Sequence, residues 1–299
     1  MNSRKRNYSR TTSLLICLGV YFAAGAAALF TGLNLGSDNA ILAAFAADSA
    51  ATAVVFMFSV IFDNSSLYDP YWSVAPPLIG LYFARNAVFS LSFSPLQWAA
   101  LGCVALWSVR LTWNWLRNWT GLSHEDWRYL DIAAKTGKLY WPVSFLGIHY
   151  FPTVQVFLGC LSLYPCLAAP GTFSVPLGAA AFIVTAGAVF IEAKADRQLL
   201  DFVRSGPPKG SIMASGLWKH SRHPNYFGEV SFWWGLFLFG LASGNFQWWT
   251  LAGPVLITAM FLFISIPFMD RRMLERRPGY AEHMKKTSAL VPLPPFKRG

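Results

Sequence analysis

The chain has 299 residues, of which 55% are hydrophobic and only 13% charged, against roughly 45–50% and about 25% in ordinary soluble domains. Its 13 Trp, 25 Phe and 11 Tyr suit rings that settle at the two headgroup interfaces of a bilayer, and a soluble globular protein is excluded. The formal net charge of +10 does not indicate nucleic acid, because the basic residues are dealt out between apolar runs instead of lining one face.

Crossing about 30 Å of hydrocarbon takes roughly 17 to 25 apolar residues, and eight stretches qualify as candidates. The first, 13–31, follows Arg4, Lys5, Arg6 and Arg10. It outruns a signal-peptide core and closes on no small-residue cleavage site, so an uncleaved span is expected. The others are 40–62, 72–93, 95–116, 145–168, 173–193, 226–243 and 247–268. Two are weaker: 72–93 contains Arg85 and a break expected at Pro76-Pro77, and 226–243 is short. Either could be re-entrant, and seven or eight spans are expected.

Lysine and arginine placement gives an independent topology. Four basic residues precede the first span, four lie in 117–138, six in 194–222 and eight after Asp270, while Arg85 and Arg110 fall within spans. An even number of spans with both termini cytoplasmic is the expectation. The fold class is therefore all-α, a single polytopic membrane domain over residues 1–299. Cys17, Cys103, Cys160 and Cys166 all sit in apolar stretches with no CxxC or Cys/His cluster, which predicts buried free thiols and no metal site.

Candidate chemistry appears in chain order. FDNSSLYDPYWS sets Asp63, Asn64, Tyr68, Asp69 and Tyr71 between two spans, and RLTWNWLRNWTGLSHEDWRYLD sets Arg110, Arg117, Glu125, Asp126, Arg128 and Tyr129 at the next inside loop. Phenols and carboxyls there can protonate a carbonyl, though interfacial tyrosines are also ordinary anchors. Asp48 and Arg110 are ionisable groups within spans, which are functional candidates by default; His149 reads as a hydrogen-bonded bundle histidine. Glu192 and Asp196 share a helix face at i and i+4, where like charges need a partner between them, such as ribose hydroxyls, an amide or Arg222. Ordinary surface charge at a helix end is the alternative.

The densest cluster is GLWKHSRHPNYFGEVSFWWG, residues 216–235. Pro224 suits a first helical turn, and from there Asn225, Glu229 and Trp233 share one face. Lys219, His220, Arg222 and His223 form a cationic collar before that helix, suited to phosphate or to anchoring against anionic lipid. Glu229 is costly in an apolar helix unless paired or used. In the tail, MDRRMLERRPGYAEHMKKTSALVP brings Arg271, Arg272, Arg276 and Arg277 around Glu275, for lipid headgroups or a cofactor phosphate alike. GxGxxG, Walker, GxSxG and HExxH signatures and any βαβ pattern are absent, which excludes a soluble-type nucleotide domain.

From these motifs the chain resembles the DUF1295 family of membrane proteins, related to the C-terminal domain of steroid 5-alpha reductases. The resemblance runs over residues 61–292 and is carried by DPYWS from Asp69, EDWRY ending the loop at Tyr129, EAKADRQLLDF from Glu192, GLWKHSRHPNYFGE and RPGYAEHMKKTSALVP. It implies a helical bundle that binds NADPH through its C-terminal spans and reduces an activated C=C bond in a steroid, fatty-acyl or other lipid-like substrate. Asp196, Asn225 and Glu229 match its nucleotide-site residues and Tyr226 is a conservative aromatic match; Arg222, His223, Arg271 and Arg272 are assigned to the phosphates. Asp69, Tyr71, Glu125 and Tyr129 are the candidates for the catalytic acid. RHPxYxG is also similar to the isoprenylcysteine carboxyl methyltransferases, which implies S-adenosylmethionine instead. A non-catalytic lipid-binding membrane protein is the third class. The bilayer and a lipid-like small molecule are the expected partners, with no nucleic acid; the expected site is the endoplasmic reticulum in a eukaryote or the inner membrane in a bacterium.

Overall fold

The computed structural model describes residues 8–295. Arg4, Lys5 and Arg6, and Lys297 and Arg298, from which part of the charge asymmetry was read, lie outside the described residues. Among these the chain is helical and forms no β-strand; one isolated parallel bridge joins Ser221 to Ser288.

The helices follow in order: α1 Arg10–Asn34, α2 Ala40–Phe62, α3 Tyr71–Phe83, α4 Arg85–Ser90, α5 Pro95–Asn118, α6 Trp127–Thr136, α7 Tyr140–Ser144, α8 Phe151–Cys160, α9 Tyr164–Leu167, α10 Val175–Arg204, α11 Pro224–Ala242, α12 Ala252–Met260, α13 Ile266–Arg276 and α14 Tyr280–Lys286. Side-chain caps start several of them: Ser9 accepts from the Thr12 N–H before α1, Asn39 from the Ile41 and Leu42 N–H groups before α2, and Asp126 from the Arg128 N–H before α6. Among the described residues, five helical segments are long and apolar enough to cross a membrane: α1, α2, the run Trp127–Leu167, α10 and the run Trp248–Arg276.

The candidate span 72–93 is two helices. The break falls at Ala84, not at Pro76-Pro77: α3 carries both prolines through, and Arg85 turns its guanidinium over the Tyr82 ring at 4.8 Å and donates to the Tyr82 carbonyl. By contrast, α11 begins at Pro224 as its fit to a first turn predicts.

Side-chain size sorts as expected in lipid, small residues inward and large apolar ones outward. The buried stripe of α1 is Ser13, Cys17, Val20 and Ala24, while Leu15, Phe22 and Leu29 are exposed. The stripe of α10 is Ala181, Thr185, Ala188, Glu192 and Ala195, alternating four- and three-residue steps. All four cysteines are buried.

Among the described residues the chain forms two compact units, 8–92 with 104–161, and 93–103 with 162–295.

Candidate active site

In the second unit, α11 packs antiparallel on α10 because two glycines let the backbones meet. A Cβ on Gly228 would lie 2.7 Å from the Glu192 Cβ and 2.9 Å from the Ala188 carbonyl oxygen; one on Gly235 would collide with the Thr185 hydroxyl and lie 3.0 Å from its Cα. This approach brings the acidic end of the α10 stripe against the first turns of α11. Asn225 donates to Asp196 Oδ1 at 3.4 Å, so the partner for the Glu192/Asp196 face includes an amide. Asn225 Oδ1 is buried and accepts no hydrogen bond. One turn on, Glu229 is buried and accepts from the Trp233 indole N–H at 2.8 Å, joining the face read from the sequence. The preceding loop is tied to α10 by Leu217 N–H on Gln198 Oε1 and the Trp218 indole on the Ala195 carbonyl, both at 3.0 Å.

Arg222 does not reach the Glu192/Asp196 pair. Its guanidinium is 9% exposed and bound to Asp270, with Nη2 on Oδ2 at 2.8 Å and Nη1 on the Thr287 carbonyl at 2.7 Å. His223 Nε2 donates to Asp270 Oδ1 at 3.0 Å, and its ring stacks on Tyr226, centroids 5.0 Å apart. The basic pair placed on phosphates by resemblance is therefore engaged within the protein, with a carboxylate 47 and 48 residues away that sequence proximity did not reveal. Arg271 is exposed and Arg272 half-buried.

The four acid candidates lie in the first unit, in two phenol–carboxyl pairs and one structural acceptor. Tyr71 donates to Asp48 Oδ1 at 2.6 Å, both buried; the Asp48 Oδ2 accepts no hydrogen bond. Tyr129 donates to Asp69 Oδ1 at 2.7 Å. Burial lifts the Asp69 carboxyl from 3.8 to about 7, against the opposing effects of the Tyr129 hydrogen bond and Arg128. Glu125 is different: its Oε1 accepts the buried Ser65 N–H at 2.8 Å and the Tyr140 hydroxyl at 3.2 Å, which fastens its loop. Sequence reasoning flagged Asp48 as an intramembrane carboxyl and Tyr71 as a phenol but had no means of joining them. His149 is fully buried, Nδ1 on the Ser144 carbonyl at 3.0 Å and Nε2 to Ser59 Oγ at 3.1 Å, within a π-helical turn, Phe145–Tyr150.

These features define a helical integral membrane protein with polar clusters built into its packed faces. The chain belongs to the DUF1295 family, described as a protein of unknown function, whose model matches residues 55–287. It is also similar to an uncharacterized protein of Schizosaccharomyces pombe, 25% identical over 265 residues, which cover 80% of this chain and 76% of that protein. No solved structure matches.

Proposed function

We propose that the protein is an NADPH-dependent reductase of an activated C=C bond in a steroid, fatty-acyl or other lipid-like substrate. The observation that carries this reading is the Asp196–Asn225–Glu229 face. It presents a buried, unsatisfied amide oxygen beside carboxyl acceptors, a set that suits the ribose hydroxyls and carboxamide N–H of a nicotinamide nucleoside. Asn225 and Asp196 would hold the ribose or carboxamide, with Glu229 oriented by Trp233. The phosphates fall to Arg271 and Arg272, since Arg222 and His223 serve Asp270. When bound, the cofactor supplies the hydride.

Tyr71 and Asp48 would supply the proton. In a phenol and a carboxyl joined by one short hydrogen bond, the phenol would give its proton to the substrate carbonyl oxygen and the protonated carboxyl would return one to the phenolate. Tyr129 with Asp69 is the second such pair.

One observation favours a second reading, methyl transfer from S-adenosylmethionine. With Arg222 and His223 engaged by Asp270, the face has fewer cations for a polyphosphate, and S-adenosylmethionine carries none. The decisive assay is NADPH oxidation by the detergent-purified protein on addition of a panel of α,β-unsaturated lipid ketones and acyl esters. Enone-dependent oxidation, with deuterium from 4-deuterated NADPH at the product β-carbon, is expected; methylation of a prenylated thiol carboxylate with no oxidation would overturn the reading.

A further inference from the structure

The segment that most resembles a ligand-binding signature spends its basic side chains on the protein's own C-terminal arm. Asp270, on α13, is the hub. Its carboxylate accepts from Arg222 Nε and Nη2, from His223 Nε2 and from the Tyr280 hydroxyl, so two separate segments converge on one buried acid. Beyond α14 the chain runs alongside residues 220–222. Arg222 N–H donates to the Ser288 carbonyl at 2.8 Å, Leu293 N–H to the His220 carbonyl at 3.0 Å, and Ser221 Oγ to the Leu290 carbonyl at 2.7 Å. Leu290 then plugs into a cluster with Val230 and Ile266, against Tyr226 and Phe227.

This arm does what a local cap does elsewhere. The residue before α11, His223, makes no side-chain capping hydrogen bond, so long-range ties locate the first turn of α11. Asn225 stands three residues beyond Arg222, and its hydrogen bond to Asp196, at 3.4 Å, is near the end of the useful range. A displacement of that turn by a few tenths of an ångström removes it.

We infer that Tyr280–Leu293 is a strap buckled by Arg222, Asp270 and Tyr280, and that these three are positioning residues for the Asn225–Glu229 face. In its effect on cofactor the inference rests on the reductase reading; in its effect on α11 it stands alone. Arg222 then binds no phosphate, because four of its N–H bonds are taken by Asp270, Met284 and Thr287, and releasing them would leave Asp270 buried without its guanidinium partner.

The test uses full-length protein in detergent carrying Tyr280→Phe, Arg222→Lys or Asp270→Asn. Hydrogen–deuterium exchange is read on peptides covering 216–230 and 280–293, beside NADPH titration and the unfolding midpoint. Tyr280→Phe, the mildest change, is expected to raise exchange in both peptides together and to weaken NADPH binding roughly threefold to tenfold, about the worth of one buried hydrogen bond, at a nearly unchanged midpoint. Arg222→Lys, which keeps the charge, should retain part of both. Exchange rising in 280–293 alone would overturn the inference. So would tighter NADPH binding by Asp270→Asn, which would make Arg222 a phosphate ligand restrained by Asp270. If the wild type binds no NADPH, the reductase reading fails while the paired exchange response still decides the strap.

Discussion

Replacing Gly228 by Ala tests the link between helix packing and the candidate site. The added Cβ would lie 2.7 Å from the Glu192 Cβ and 2.9 Å from the Ala188 carbonyl oxygen, where ordinary contact is 3.4–4 Å. The obstacle includes helix backbone, so α10 and α11 must part by about 1 Å, an overpacking cost of roughly 1–3 kcal/mol. A parting of that size carries Asn225 out of hydrogen-bond range of Asp196, from 3.4 Å. The variant should unfold at lower temperature and bind NADPH about tenfold more weakly, equivalent to about 1.4 kcal/mol. Gly187→Ala is the control: its Cβ would meet nothing within 4 Å, and helix propensity favours Ala by about 1 kcal/mol. The assays are thermal unfolding in detergent and equilibrium titration. A Gly228→Ala protein with wild-type midpoint and affinity would refute the argument that this crossing builds the site.

Tyr71→Phe, read by single-turnover kinetics with a reducible enone, should cost roughly 10²–10⁴ in rate with NADPH affinity kept; if Tyr129→Phe shows that loss instead, the proton comes from the Asp69 pair. Glu125→Ala leaves the buried Ser65 N–H without its acceptor and should cost about 1–3 kcal/mol of stability; loss of turnover at an unchanged midpoint would restore Glu125 as a catalytic acid. The Asp69 carboxyl, raised from 3.8 to about 7, holds a proton in the folded chain that the unfolded chain releases. Its contribution to stability therefore declines as pH rises through that window. Asp69→Asn should flatten the decline measured by chemical unfolding, and an unaltered slope would show that Asp69 is not the group responsible.

What the sequence made legible follows the range of each interaction. Asn225, Glu229 and Trp233 fall on one face because helix periodicity is local, and the Trp233–Glu229 hydrogen bond follows from it. The buried carboxyl at Asp48 is conspicuous for the same reason, a charge in an otherwise apolar run. Its partner Tyr71 lies on the next long helix, and Asp270 lies 48 residues from Arg222; periodicity says nothing at such separations. The cationic collar was therefore legible as a cluster, while its role in clasping the tail depended on where α13 and the arm come to rest. The break in 72–93 was expected from proline stereochemistry, but the structure turns at Ala84 beside an arginine–tyrosine contact.

The most direct test of the central claim is equilibrium binding of NADPH and of S-adenosylmethionine to the detergent-purified protein, wild type beside Glu229→Ala. Saturable NADPH binding that the substitution abolishes, with the unfolding profile preserved, is the result predicted here. Saturable S-adenosylmethionine binding with none for NADPH would contradict it.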